Sequence, residues 1–215
     1  MSLWEFLVDR REIVIFQGFQ HASMVAQCVL VATVLAVLLA IAVHRKPRVV
    51  GLATAASAVG LTIPSFALLG FLIAPLGIGV PPVVVALVFY ATLPILRNAV
   101  VGLASVDPTI VDAARGMGMS WAHTVLRIEL PLAWPVILAG IRVSTQMVMG
   151  IGAIAAYVSG PGLGGLIFSG LARLGGANSV NSALAGTLGV VVLALIFDAV
   201  LVLIGKLTVP RGIRA

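Results

Sequence analysis

Charged residues are scarce in this sequence. They make up 9% of its 215 residues, whereas 61% of the residues are hydrophobic. The mean hydropathy is +1.20. A soluble domain carries about 25% charged residues, so this chain cannot cover the surface of a water-soluble globule. The scarcity argues against a soluble enzyme, a disordered chain and a nucleic-acid-binding protein. The net charge of +6 would suggest polyanionic partners in a soluble protein, but here the positions of the few charges matter more than their sum.

Cysteine is nearly absent as well. Cys28 is the single cysteine, which excludes an intrachain disulfide and a thiolate metal cluster. It lies in an apolar run, so we expect a small buried residue. The histidines His21, His44 and His123 are scattered along the chain, and we expect no shared metal site.

Long charge-free runs are what the sequence does contain. They cover residues 13–44, 49–96, 143–172 and 174–197. A helical span needs about 20 mostly apolar residues, and the glycines and prolines between residues 75 and 82 divide the longest run in two. The pattern predicts an all-α integral membrane protein, a single transmembrane domain over 1–215. Its five transmembrane helices are expected at about 22–43, 51–73, 82–103, 133–157 and 182–205.

The segment 1–20 mixes aromatic residues such as Trp4 and Phe6 with charged ones such as Glu5 and Arg10. That mixture predicts an interfacial helix at the external membrane surface. The first predicted span starts too late, and is too long, for the apolar region of a cleaved signal peptide.

Basic residues are distributed unevenly between the two sides of the predicted spans. Three of them, Arg10, Arg11 and Arg173, fall on one side. The other ten fall on the opposite side: Arg45, Lys46, Arg48, Arg97, Arg115, Arg127, Arg142, Lys206, Arg211 and Arg214. Because basic residues are enriched in cytoplasmic loops, we expect the N-terminus outside, the C-terminus inside, and residues 104–132 in the cytoplasm.

That cytoplasmic segment has the signals of two short helices. Asp107 and Pro108 suit the N-cap and first turn of a helix, which the glycines Gly116 and Gly118 then end. Ser120 is suited to cap a second helix over 121–129, and Pro131 is expected to open the next span. Two short helices with a glycine bend make a compact protrusion suited to docking.

The segment resembles the EAA motif of ABC importer permeases. That motif is Glu-Ala-Ala, three residues, Gly, nine residues, Ile, one residue, and Leu-Pro. Here Asp112-Ala113-Ala114 is followed after three residues by Gly118, and after nine more by Ile128-Glu129-Leu130-Pro131. Every spacing matches, and Asp112 in place of Glu keeps the carboxylate.

In that family the segment is the coupling helix, which sits in a groove of the ATP-hydrolysing subunit. The resemblance assigns that contact to Asp112, Ala113, Ala114, Met117, Gly118, Ser120, Trp121 and His123. The alternative is an ordinary cytoplasmic loop, in which the alanines and glycines only pack helices.

Further stretches resemble the same family, notably residues 62–69, 90–98 and 160–164. Together they are most similar to short permeases of importers for glycine betaine, carnitine or choline, with methionine importer permeases as relatives of the same fold. The likeness covers roughly residues 20–205. It implies a multi-pass permease of the bacterial inner membrane that binds no cofactor or metal and performs no covalent chemistry, with ATP and Mg on a partner subunit. Its expected partners are ABC ATPase subunits, a second permease chain, an external substrate-binding protein and the lipid bilayer, but not nucleic acid.

Prolines and polar residues inside the predicted spans are candidates for a translocation path. Each proline frees a backbone carbonyl that lipid cannot satisfy, and transporters often place broken helices at the substrate path. Local kinks with satisfied carbonyls are the alternative. The path candidates are Thr62, Pro64, Ser65, Tyr90, Pro94, Asn98 and Gln146.

Gly160, Gly162 and Gly164 lie on the predicted external side. They do not form a phosphate loop, since no strand precedes them and no Lys-Ser/Thr follows. A flexible external gate and a plain interhelical turn both remain open, with a short helix expected just after them. Asp198 is the one carboxylate well within a predicted span, where helix packing or an ion pair is favoured over ion coupling.

Overall fold

The computed structural model of the chain describes residues 1–209. Arg211 and Arg214 of the predicted cytoplasmic set lie outside the described residues. Over residues 1–209 the chain forms ten α-helices, a π-helical turn and a 3₁₀ turn. In chain order the helices are α1 Leu3–Asp9, α2 Arg11–Val43, α3 Pro47–Thr62, α4 Ser65–Leu76, α5 Val80–Ala104, α6 Pro108–Gly116, α7 Trp121–Thr124, α8 Leu130–Ile154, α9 Gly164–Ala172 and α10 Ser179–Thr208.

Four continuous helical stretches are long and apolar enough to cross a membrane, and the α3–α4 pair makes a fifth candidate. The all-α membrane fold is therefore confirmed. The first long helix begins at Arg11, not near residue 22, because nothing between Arg11 and Val43 interrupts it. Only α1 is separate from it, and Ser2 and Glu5 cap α1 reciprocally. Residues 1–20 therefore do not form one separate helix, and the interfacial position of this segment stays a prediction.

The second predicted span is broken rather than continuous. Its halves, α3 and α4, are bent by 91°. Pro64 lacks an amide proton and forces the residue before it into an extended conformation, and Ile63 has φ −66° and ψ 124°. The hydroxyl of Tyr90 donates to the Ile63 carbonyl at 2.6 Å, so a carbonyl left without a helical partner at the break is satisfied.

The predicted helix over 121–129 is also different in the structure. Helix α7 covers one turn, and a π-helical turn, Val125–Glu129, continues it directly into α8. Pro131 lies in the first turn of α8, as expected, but α8 is continuous with the π turn before it. The wider π turn relieves the crowding that a proline ring causes in a continuous α-helix.

The core is formed by α2, α5 and α8, which pack along their length. Small residues make the close contacts: Ala32, Ala36 and Ala40 of α2 are fully buried. A Cβ added to Gly140 of α8 would lie 2.7 Å from the Cβ of Asn98 on α5. Cys28 belongs to this core and is 2% exposed, which confirms the expected burial. Between α3 and α5, small residues such as Gly60 allow similarly close packing.

Candidate functional site: the coupling segment and the membrane path

The first helix of the coupling segment is capped as the sequence predicts. The carboxylate of Asp107 accepts from the Thr109 amide at 2.8 Å and from the Thr109 hydroxyl at 2.8 Å. The hydrogen bond from the Thr109 amide, and to a smaller extent the one from its hydroxyl, holds the pKa of Asp107 below its ordinary value. The cap is therefore ionised at neutral pH, when it best stabilises the helix N-terminus.

Gly118 forms the bend that follows α6. Its φ is +81°, a left-handed conformation that glycine adopts without strain. The Gly118 amide donates to the Arg115 carbonyl at 2.9 Å, and the Met119 amide donates to the Ala114 carbonyl at 3.1 Å. Ser120 then caps α7, because its hydroxyl accepts from the His123 amide.

The bend leaves most of the motif residues exposed on the surface of the chain. Ala114 is buried, with 1% exposure, and anchors α6, whereas the other seven predicted coupling residues are exposed. Met117 is 76% exposed and Trp121 52%, so two large apolar side chains stand on this surface. Asp112 and Arg115 form an exposed ion pair at 3.4 Å. A mixed apolar and charged surface of this kind suits a protein partner.

A buried ion cluster lies behind this surface, and the sequence reading missed it. Glu129 is 2% exposed. Its carboxylate contacts the imidazole Nε2 of His44 at 2.6 Å and the guanidinium of Arg45. The signal in the sequence is an acidic residue beside an apolar span, at the unspecified position of the motif. Its partners, however, lie 85 and 84 residues away.

The predicted path residues separate into two groups. Tyr90 and Pro94 are buried in the core, and the Asn98 side chain donates to the Pro94 carbonyl at 2.9 Å, so these three residues make contacts within the packed helices. Thr62 and Pro64 are exposed at the α3–α4 break, and Ser65 is half-buried there. Thr62 donates to the carbonyl of Val59 at 2.7 Å.

Gln146 belongs to an exposed stripe along α8. Ala139, Val143, Gln146 and Gly150 recur at helical spacing and are all exposed, whereas their neighbours Ser144 and Thr145 are buried. Gln146 donates to the Ala194 carbonyl of α10 at 3.3 Å. Small residues with one amide on an otherwise apolar face suit close approach of another helix or a polar path.

The three predicted gate glycines are tightly packed in this conformation. A Cβ on Gly164 would lie 1.9 Å from the Ala153 carbonyl oxygen, and one on Gly160 would lie 2.8 Å from the Ala155 oxygen. Gly162 has φ +116°, and its added Cβ would lie 2.7 Å from Nδ1 of the buried His21. The segment therefore packs on α2 and α8, and the expected short helix follows as α9.

Asp198 is paired within the chain. Arg142 donates to its two carboxylate oxygens at 2.9 and 3.0 Å, which agrees with the favoured ion-pair reading. Arg142 therefore lies well inside α8, beside α10. Its assignment to the cytoplasmic side stays a prediction, although it lies within the fourth predicted span.

The three histidines have separate environments. His21 contacts the Met149 carbonyl at 3.1 Å, His44 contacts Glu129, and His123 contacts the Ser120 hydroxyl at 3.0 Å. Among residues 1–209, no group of three or more His, Cys, Asp or Glu side chains could hold a metal ion.

The sequence relationships agree with this architecture. Residues 32–209 match the family described as the binding-protein-dependent transport system inner membrane component. The chain belongs to this family and is a permease subunit of an ABC importer, a membrane component of the transporter.

Several permeases of osmoprotectant importers are similar to this chain over nearly its whole length. The choline transport system permease protein OpuBB of Bacillus subtilis is 34% identical over 98% of this chain and 95% of that protein. The osmoprotectant import permease protein OsmW of Salmonella typhimurium is 34% identical over the full length of both chains. The carnitine transport permease protein OpuCB of Listeria monocytogenes is 34% identical over 97% of this chain and 94% of that protein.

Solved structures share the fold. A chain of the MetNI methionine ABC transporter in an inward-facing conformation superposes with a TM-score of 0.72 at 18% identity, covering 96% of this chain and 99% of that chain. A chain of an amino acid ABC transporter crystallised with histidines gives a TM-score of 0.71 at 17% identity, covering 93% and 96%.

Proposed function

We propose that this permease imports a small quaternary ammonium solute such as glycine betaine, carnitine or choline. The similarity to permeases named for these solutes supports the proposal, since it runs over nearly the whole chain at 33–34% identity. Methionine or another small solute is the alternative, because the fold is shared with a methionine transporter. This chain supplies the path and performs no covalent chemistry, and it binds no cofactor of its own.

The coupling segment docks on an ATPase subunit that holds ATP and Mg. The observation that supports this step is the exposed bend at Gly118, which presents Met117 and Trp121 on a surface anchored by Ala114. ATP-driven closure of two such subunits moves α6 and α7, and the membrane helices turn the path outward. An external binding protein then delivers the solute.

The path requires a second permease chain, identical or different. The stripe on α8 that contains Gln146 is exposed, and so are large apolar residues of α10 such as Leu195 and Leu203, which leaves two helices for a partner to cover. The basic residues favour a bacterial inner-membrane protein with its N-terminus outside and its C-terminus inside. Gly160, Gly162 and Gly164 then lie at the external end, where they form a gate.

Gly118→Asp tests the coupling role. Asp is strained at a φ of +81° and adds a charge to the docking surface, so we expect ATP-driven uptake to fall at least a hundredfold, with membrane insertion intact. Gly175→Asp is the matched control, because Gly175 also has a positive φ and nothing within 4 Å, but lies towards the predicted external end.

The measurement is uptake of radiolabelled glycine betaine, carnitine, choline and methionine into proteoliposomes that contain the permease, its ATPase and its binding protein. If uptake does not depend on ATP, or if no ATPase subunit co-purifies with the permease, the protein is a channel or secondary transporter instead. Normal uptake by the Gly118 variant would refute the coupling role, and import of methionine alone would refute the proposed substrate class.

A further inference from the structure

The Glu129 cluster is a connection between the coupling segment and the first membrane helices. We define it as Glu129, His44, Arg45 and Trp121. Glu129 is the last residue of the π turn before α8, and His44 and Arg45 lie in the short turn between α2 and α3. The cluster therefore joins two parts of the chain that are 85 residues apart.

Hydrogen bonding within the cluster is directional. His44 Nδ1 lies 2.9 Å from the Ile41 carbonyl oxygen, and Nε2 lies 2.6 Å from a Glu129 carboxylate oxygen. Both neighbouring oxygens accept hydrogen bonds, and Arg45 Nε also lies 3.3 Å from Nε2, so contacts on both ring nitrogens hold the imidazole between the end of α2 and Glu129. The Arg45 guanidinium donates to the other oxygen of Glu129, and the carboxylate is thus held from two sides.

Arg45 extends the cluster to the docking surface. Its guanidinium carbon lies 5.9 Å from the centroid of the Trp121 ring, within the range of a cation–π contact. Trp121 is 52% exposed on that surface. A displacement of α7 therefore reaches Arg45 through Trp121, and reaches the end of α2 through Glu129 and His44.

Across residues 1–209, helix α6 makes no hydrogen bond or ion pair to the cluster. Val111, Asp112 and Arg115 of α6 line a cavity of about 280 Å³ together with His44 and Glu129. The direct polar contacts of the cluster therefore run through Trp121 and Glu129. Within the described residues, Glu129 is the charged side chain that bridges the coupling segment to the α2–α3 turn.

We propose that Glu129 is a positioning residue that makes α2 and the broken α3–α4 pair follow the coupling segment. The proposal rests on the function proposed above. Without the carboxylate, α6 and α7 still dock on the ATPase, but their movement reaches α8 alone, and ATP is hydrolysed without a full opening of the path.

Glu129→Gln tests this, because it keeps the side-chain shape and removes the negative charge that pairs with Arg45 and contacts His44. We expect the number of solute molecules imported per ATP hydrolysed to fall at least tenfold, while binding-protein-stimulated ATP hydrolysis stays within twofold of wild type. Arg45→Gln, which removes the guanidinium but leaves the His44 contact, is expected to lower the same ratio about threefold. Asp9→Asn is the control: it breaks the exposed Asp9–Arg10 pair and leaves the ratio unchanged.

The measurement uses the complete transporter in proteoliposomes, with radiolabelled glycine betaine, carnitine or choline, whichever the wild type imports. An unchanged ratio in both variants would overturn the proposal. So would an equal loss of ATP hydrolysis and uptake, because that result would mean lost docking. If Glu129→Gln fails to assemble with the ATPase, Arg45→Gln decides alone, since Arg45 is one-third exposed.

The two proposals fail in different ways. If Gly118→Asp abolishes uptake while the Glu129 and Arg45 variants transport normally, the permease function stands and the role of Glu129 falls. If Gly118→Asp transports normally, the coupling role falls first.

Discussion

Helices α2 and α10 are almost equally apolar, yet they differ in what they contact. In the most apolar window of α2, 39% of the residues are buried, whereas none are buried in that of α10. Helix α2 packs small residues against α5 and α8, while the outward side of α10 carries large apolar side chains such as Leu195 and Leu203. Apolarity therefore identifies membrane helices. It does not distinguish a helix packed in the core, such as α2, from a helix whose surface is left for lipid or another chain to cover, such as α10.

Helix α10 packs one face on the core, with residues such as Leu193 and Phe197, and polar contacts fix it at separate points. Arg142 pairs with Asp198, Gln146 donates to the Ala194 carbonyl, and Trp134 donates to the Thr208 hydroxyl at 2.6 Å. The core helices α2, α5 and α8, in contrast, are buried over a larger share of their length. We therefore expect substitutions in the core to prevent folding, and substitutions at α10 to loosen one helix.

The largest effect is expected in the core. Gly140→Leu forces a side chain into the contact with Asn98, and overpacking at such a site costs about 3 kcal/mol. We expect little folded protein in the membrane and a much lower Tm in detergent. Gly51→Leu is the control on an outer helix, because a Cβ at Gly51 of α3 meets nothing within 4 Å. Equal losses in the two variants would contradict the distinction between core and outer helices.

A smaller effect is expected at the link between α8 and α10. Asp198→Leu leaves Arg142 without its partner, but the two side chains are 43% and 32% exposed, so solvent and headgroups reduce the penalty to about 2 kcal/mol. The double variant Arg142→Met with Asp198→Leu is expected to recover most of the lost stability. A denaturation series of the two single variants and the double variant measures this, and additive losses would mean that the pair is not coupled.

The smallest effect on stability is expected on the α8 stripe. Val143→Cys, in a background where buried Cys28 is replaced by Ala, should leave the Tm unchanged and give a cross-link to a second permease chain under mild oxidation. Leu30→Cys, on an exposed face of α2, is the control and should not cross-link. If only Leu30→Cys cross-links, the partner covers α2 instead of α8.

Much of the fold follows from the distribution of charge and proline in the sequence. Hydropathy predicts the long helices, and local signals at Asp107, Gly118 and Ser120 predict the shape of the coupling segment, because capping and positive φ depend on a few neighbouring residues. Pro64 was recognised, but a proline in a membrane helix is compatible with a mild kink, and the sequence does not fix a 91° break.

Pairings between distant residues could not be predicted. Arg142 was assigned to the cytoplasm because a charge marks the end of an apolar run, and its neutralisation by Asp198 depends on the packing of α8 against α10. The burial and pairing of Glu129 are likewise not visible in the sequence, because they depend on tertiary packing. Its partners His44 and Arg45 are adjacent to it only because the C-terminal end of α2 lies beside the start of α8 in the fold.

The break at Pro64 also has a consequence for the bilayer. Helix α3 has 16 residues, so it rises about 24 Å, which is less than the hydrocarbon thickness of about 30 Å. Helix α4 turns away by 91° and adds little depth. A crossing element this short is a case of hydrophobic mismatch, which a membrane accommodates by thinning around it. If the α3–α4 pair is one crossing, we expect the bilayer to be thinner beside α3, and each tilt of α3 then changes the energy of that thinning.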